Sequence, residues 1–145
     1  MSIRIVCFAD DDEDIERLTF AFKTYDVKFL FLSNPQTDWN LEEKTVKRIA
    51  DFEPNFAVVD LKDQRGNLKE AGFRVIRKLN ELLERPIPVI AWSVLLKSET
   101  SSGEMYIRRA RGYGAIPLFK SKNRRPVASR FLSAAKLSLS SSGSD

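Results

Sequence analysis

The segment Asn55 to Leu61, Asn-Phe-Ala-Val-Val-Asp-Leu, leaves few folds open. Four consecutive apolar residues, Phe56 to Val59, end on the carboxylate of Asp60. A short unbroken apolar run predicts a strand buried on both faces, as inside a parallel sheet. A first strand, Ile3 to Ala9, apolar except for Arg4, also ends on carboxylates: Asp10, Asp11 and Asp12. In an open α/β sheet, ligands bind outside the carboxyl ends of the strands. Two strands ending in acids bring at least three carboxylates to that edge. Packed there, they repel unless a cation lies between them or one takes a proton. Taken alone, Asp60 has a plainer reading as the cap of the next turn, since Asp is common at strand ends.

The rest of the chain alternates strand and helix. Asp14 reads as the N-cap of a first helix, with Ile15, Leu18 and Phe22 at helical spacing to about Tyr25. Val27 to Leu32 reads as a second strand. Asn40 with Glu43 resembles a capping box, opening a helix with Val46, Ile49 and Ala50 that ends near Phe52, before Pro54. Lys62 to Ala71 is polar and reads as a loop. A third helix is expected from about Gly72 to Glu84, and a strand from Pro88 to Trp92 ending at Ser93. A helix lies within Lys97 to Arg111, weakened by Ser101-Ser102-Gly103. Ala115 to Phe119 is the last strand, and Pro117 inside it demotes it to an edge. Arg125-Pro126 opens the last helix, with Val127, Phe131, Leu132, Ala135 and Leu139 as its apolar face.

Such alternation predicts an α/β fold: a single doubly wound five-stranded parallel sheet in the flavodoxin-like order 2-1-3-4-5. Its switch point lies between the first and third strands, beside Asp10, Asp11 and Asp60. One domain is expected over residues 1–139, with 140–145 as a disordered Ser/Gly tail.

Composition removes several chemistries. There is no histidine, which excludes Ser-His and Cys-His catalysis, His-ligated metals and phosphohistidine on this chain. The one cysteine, Cys7, lies in the first strand, so thiolate zinc is excluded and a reducing, cytoplasmic setting is expected. No apolar run approaches the roughly 20 residues that span a bilayer, and no signal peptide is visible, so no membrane role is expected. The net charge of +4 is too mild to imply nucleic acid. From Glu104 to Lys136, however, the charge is almost wholly basic, as on a partner-binding face or on solvated helices.

The strand ends together supply Asp10, Asp11, Asp60, Ser93 and Lys120. Oxygen-rich ligands select a hard cation, naturally Mg²⁺ with retained waters. A carboxylate beside it can act as a nucleophile on phosphorus. Mg²⁺, Lys120 and the Ser93 hydroxyl would stabilise charge on the transferred oxygens.

With these residues the chain resembles the receiver domain of two-component response regulators, the chemotaxis type. The resemblance runs from Ile3 to about Leu139. It is carried by Phe8-Ala9-Asp10-Asp11-Asp12-Glu13-Asp14-Ile15, Val58-Val59-Asp60-Leu61, Gly72 to Arg77, Pro88 to Ser93, and Phe119-Lys120-Ser121. It implies Asp60 as phosphoacceptor, Asp11 as a direct Mg²⁺ ligand and Asp10 as a ligand through water. It also implies the Lys62 carbonyl as third protein ligand, Ser93 as switch hydroxyl and Lys120 as the phosphate-binding lysine. The chain departs from the pattern in places. The loop after Asp60 is longer and charged, and Lys120 precedes Ser121 rather than a proline. The aromatic switch position falls on Pro117 in one register. In the other, with Lys122 as the site lysine, it falls on Phe119.

A receiver of this kind would take a phosphoryl group from a sensor histidine kinase or a histidine phosphotransfer protein. It would signal through a downstream protein, with nucleic acid disfavoured and a homodimer allowed. Its own chemistry would extend at most to self-phosphorylation from small donors and autodephosphorylation. Two other classes are weighed: a receiver-like interaction module working without phosphorylation, and a Mg²⁺-dependent aspartyl-phosphate phosphatase. The phosphatase reading lacks its usual Asp-x-Asp, because Asp60 is followed by Leu61 and Lys62.

Overall fold

The computed structural model describes residues 2–61 and 70–136. In chain order the elements are β1 (Ile3–Phe8), α1 (Asp12–Ala21), β2 (Val27–Leu32), a 3₁₀ turn (Asp38–Asn40), α2 (Glu43–Phe52) and β3 (Phe56–Val59). There follow α3 (Glu70–Leu82), β4 (Val89–Ser93), α4 (Ser101–Gly112), β5 (Ile116–Phe119) and α5 (Ala128–Ala134). The strands form one sheet in the order β2-β1-β3-β4-β5, and every pairing is parallel. This is the flavodoxin-like order expected, with β5 and its Pro117 at an edge.

The unbroken apolar runs are explained by two cores. Val6 and Phe8 of β1, Ala57 and Val59 of β3, and Ala91 of β4 pack with Ile49, Phe73, Ile76, Leu79 and Ala110. The alternate residues Ile5, Cys7, Phe56, Val58, Ile90 and Trp92 face Leu18, Phe22, Phe131 and Leu132. Helices α2, α3 and α4 therefore cover one face of the sheet, and α1 and α5 the other. Successive side chains of a strand point to opposite faces, so a strand covered on both sides must be apolar throughout. Burial pushes the Cys7 thiol far above its ordinary value, so it stays protonated and acts as a small apolar residue.

Several local expectations are corrected. Helix α1 begins at Asp12, and its N-cap is Asp11, whose side chain accepts from the Glu13 N–H at 2.9 Å. Asp14 lies inside the helix instead of capping it. The Asn40–Glu43 box does not form. The Asn40 side chain donates to the Gln36 carbonyl and accepts from Arg74, Leu41 turns left-handed at φ 54°, and α2 starts after Glu42. Helix α3 begins two residues earlier than expected and ends at Leu82. In α4 the Ser-Ser-Gly stretch forms the first turn because Thr100 caps it, its hydroxyl accepting from the Gly103 N–H at 2.9 Å. Helix α5 starts at Ala128, so Pro126 lies before it and not in its first turn. Leu139, the expected end of the domain at 139 and the 140–145 tail fall outside the described residues. Among the described residues no helix is long and apolar enough to cross a membrane.

At the far end of α4, an added methyl group at Gly112 would meet nothing within 4 Å. Gly112→Ala should therefore stabilise the fold by about 0.4–1 kcal/mol, by restricting the unfolded chain. The urea midpoint should rise with an unchanged slope; a lower midpoint contradicts this.

Candidate functional site

The carboxyl ends of β1, β3, β4 and β5 meet at one edge, and the backbone holds them in register. The Asp60 N–H donates to the Phe8 carbonyl at 2.9 Å, joining the end of β3 to that of β1. The Lys120 N–H donates to the Ser93 carbonyl at 3.0 Å, joining β5 to β4. Asp60, Ser93 and Lys120 are all buried, at 3%, 0% and 7% exposure. A buried lysine and a buried aspartate need each other, because an unpaired ion in a dry site is expensive. The Lys120 ammonium lies 3.3 Å from Asp60 Oδ2.

Lys120 also forms a closer pair, 2.6 Å from Oδ2 of Asp14, which is itself buried. The Trp92 ring closes a third side, its centroid 4.4 Å from Nζ. The lysine thus stands in a cage of two carboxylates and an aromatic face. Asp14 is the site residue that sequence reasoning missed. The signal was the apolar stripe Leu18 and Phe22: stepping back four residues from Leu18 reaches Asp14, not Ile15.

The other site residues lie as follows. Asp10 and Asp11 follow β1 and are half-buried, with Asp11 engaged as the α1 cap. The Ser93 hydroxyl accepts from the Leu95 N–H at 3.2 Å, which fixes it at the end of β4. Lys122 is exposed and lines a groove beside Phe20, Lys23 and Arg124, away from Asp60. Pro117, three residues before Lys120, pairs with Ala91. Phe119 is 41% exposed and lines a cavity of about 420 Å³ with Trp92 and Arg130. Lys62, whose carbonyl was expected to bind metal, lies outside the described residues.

The chain re-enters the described structure at Glu70. There Arg109 of α4 grips the Glu70 carboxylate with two hydrogen bonds, at 3.0 and 2.5 Å, and lies over the Phe73 ring at 4.0 Å. The hydrogen bond from Arg109 holds the Glu70 carboxyl below its ordinary value. This pair is largely exposed, so it contributes little to stability. Just inside α3, Gly72 packs against the end of β3. A Cβ there would lie 2.5 Å from the Asp60 carbonyl oxygen and 3.2 Å from Leu61 Cα.

Asp10, Asp11 and Asp60 offer only oxygen at the ends of neighbouring strands, so they fit Mg²⁺ in kind. They are not gathered round a point: among the described residues no three His, Cys, Asp or Glu side chains are grouped to hold a metal ion.

No family model and no curated protein matches the chain. Solved structures do. A response regulator from Thermotoga maritima matches with a TM-score of 0.68 at 12% identity, covering 94% of this chain and 99% of that one. The beryllofluoride-activated N-terminal receiver domain of Klebsiella pneumoniae RstA matches at 0.62 and 16%, covering 92% and 95%. A Burkholderia pseudomallei response regulator with a phosphorylated aspartic acid, calcium ion and citrate matches at 0.59 and 16%, covering 97% and 69%. At such identities the likeness is one of fold, and the chain has the fold of response regulator receiver domains.

Proposed function

We propose that this chain is a phosphoryl-accepting receiver with Asp60 as the acceptor. The observation that supports it most is the meeting of a buried aspartate at the end of β3 with a buried lysine at the end of β5, 3.3 Å apart. An acceptor needs a nucleophilic carboxylate oxygen and a cation for the charge that arrives. Asp60 Oδ would form a bond to phosphorus. The bond from phosphorus to the donor's leaving atom would break, that atom keeping the electron pair and then taking a proton. With no histidine of its own, the chain would draw on a phosphohistidine of a partner kinase or phosphotransfer protein. Lys120 would hold one transferred oxygen, and the Ser93 hydroxyl would donate to another. Bound Mg²⁺, held by Asp10, Asp11, Asp60 and the Lys62 carbonyl, would neutralise charge between the acids and the donor. Water attack on phosphorus would release inorganic phosphate and restore the Asp60 carboxylate. The output would pass to another protein, within the cytoplasm.

Beryllofluoride, a phosphoryl mimic, tests the reading. Trp92 faces Lys120, so its emission should change saturably when beryllofluoride and Mg²⁺ are added together. It should stay constant without Mg²⁺ and in Asp60→Asn. A response that persists in Asp60→Asn overturns the assignment. Its absence from the wild type favours an interaction module that works without phosphorylation.

A further inference from the structure

We propose that Asp14 restrains the acceptor by competing with the phosphoryl group for Lys120, an inference that rests on Asp60 as phosphoacceptor. Asp14 sits in the first turn of α1, 6% exposed, and among the described residues Lys120 is its hydrogen-bond partner. The ammonium is nearer to Asp14, at 2.6 Å, than to Asp60, at 3.3 Å. One positive charge is therefore shared between two buried carboxylates, and the closer one is not the acceptor.

A phosphoryl group on Asp60 adds oxygens carrying a charge of about −1.5 to −2 in place of −1, by analogy with other phosphorylated side chains. To meet them the ammonium must turn from Asp14, which then stays buried beside new negative charge. Leaving one ion of a buried pair without its partner is costly. That cost falls on the phosphorylated state more than on the resting one, so Asp14 favours the resting state and hastens loss of the phosphoryl group. Asp14 is thus a positioning residue, acting through Lys120 and not on the reacting atoms.

Asp14→Asn keeps the size of the side chain and an oxygen for Lys120 but removes the charge. Charge-assisted hydrogen bonds are roughly twice as strong as neutral ones, so the variant should release the lysine more readily. It should bind beryllofluoride about tenfold more tightly at equal Mg²⁺ and hydrolyse its acyl phosphate more slowly, whatever its melting temperature. A purely structural role would lower the melting temperature and leave affinity equal or weaker, which overturns the proposal. Should the variant fail to fold, the wild type decides. The Asp14 carboxylate carbon resonance should shift when beryllofluoride saturates the protein, and a stationary resonance overturns the proposal. A wild type that binds no beryllofluoride removes the acceptor reading and this one together. A wild type that binds it, with an unchanged Asp14→Asn, removes this one alone.

Discussion

Replacing Lys120 with alanine is expected to destabilise the protein by about 3–5 kcal/mol, the range found when one partner of a buried ion pair is removed. Two carboxylates depend on this ammonium, and both are buried: the side chains of Asp14 and Asp60 are 8% and 3% exposed. The cation between them offsets part of the cost of their removal from water. Against a typical total stability of about 5–15 kcal/mol, the loss threatens the fold at physiological temperature. Stabilised by osmolyte or studied in the cold, the variant should still bind Mg²⁺ but lose its spectral response to beryllofluoride. Lys122→Ala is the control. That side chain is exposed, two residues farther on, and its loss should change stability by no more than about 0.5 kcal/mol. Urea denaturation of both variants checks the contrast. Equal stabilities, or a larger loss for Lys122→Ala, would mean that the cage does not hold the lysine at position 120.

The second large effect is expected from a single methyl group. Alanine is the better helix former by about 1 kcal/mol, so Gly72→Ala in an open helix would stabilise. At Gly72 the new carbon would lie 2.5 Å from the Asp60 carbonyl oxygen, a backbone atom that cannot swing aside. Overpacking of this sort costs about 1–3 kcal/mol. The strain falls on the peptide that carries the acceptor, because Leu61 Cα lies only 3.2 Å away. Stability should therefore fall by about 1–2 kcal/mol, and phosphoryl uptake should fall further than stability alone explains. A Gly72→Ala protein as stable and as active as the wild type would show that α3 can retreat from β3 without loss.

Fold and site were legible to different depths. The strands could be read because both faces of the sheet are covered, which turns β1, β3 and β4 into apolar runs with no helical alternation. The edge place of β5 followed from Pro117, which cannot donate to a ladder. Asp60, Ser93 and Lys120 were found because each ends such a run. Asp14 was not, because a buried acid on an amphipathic helix interrupts the stripe that would reveal it, and its partner is 106 residues away. Trp39 was passed over for a similar reason. It is fully buried in a 3₁₀ turn between polar residues, held by an indole N–H that donates to the Leu32 carbonyl at 2.7 Å and by an edge contact with Phe8. The capping box failed because Asn40 found the Gln36 carbonyl and Arg74, and long-range partners of this kind leave no local trace. Helix starts depend on a few hydrogen bonds and are easily displaced by one or two residues.

The most direct test of the central claim is the intact mass of the protein after incubation with acetyl phosphate, with and without Mg²⁺. The wild type should gain the mass of one phosphoryl group, only when Mg²⁺ is present, and peptide mapping after borohydride reduction should place it on Asp60. Asp60→Asn should gain nothing under the same conditions. A wild type that gains no mass, or an Asp60→Asn protein that gains the same mass, would contradict the account.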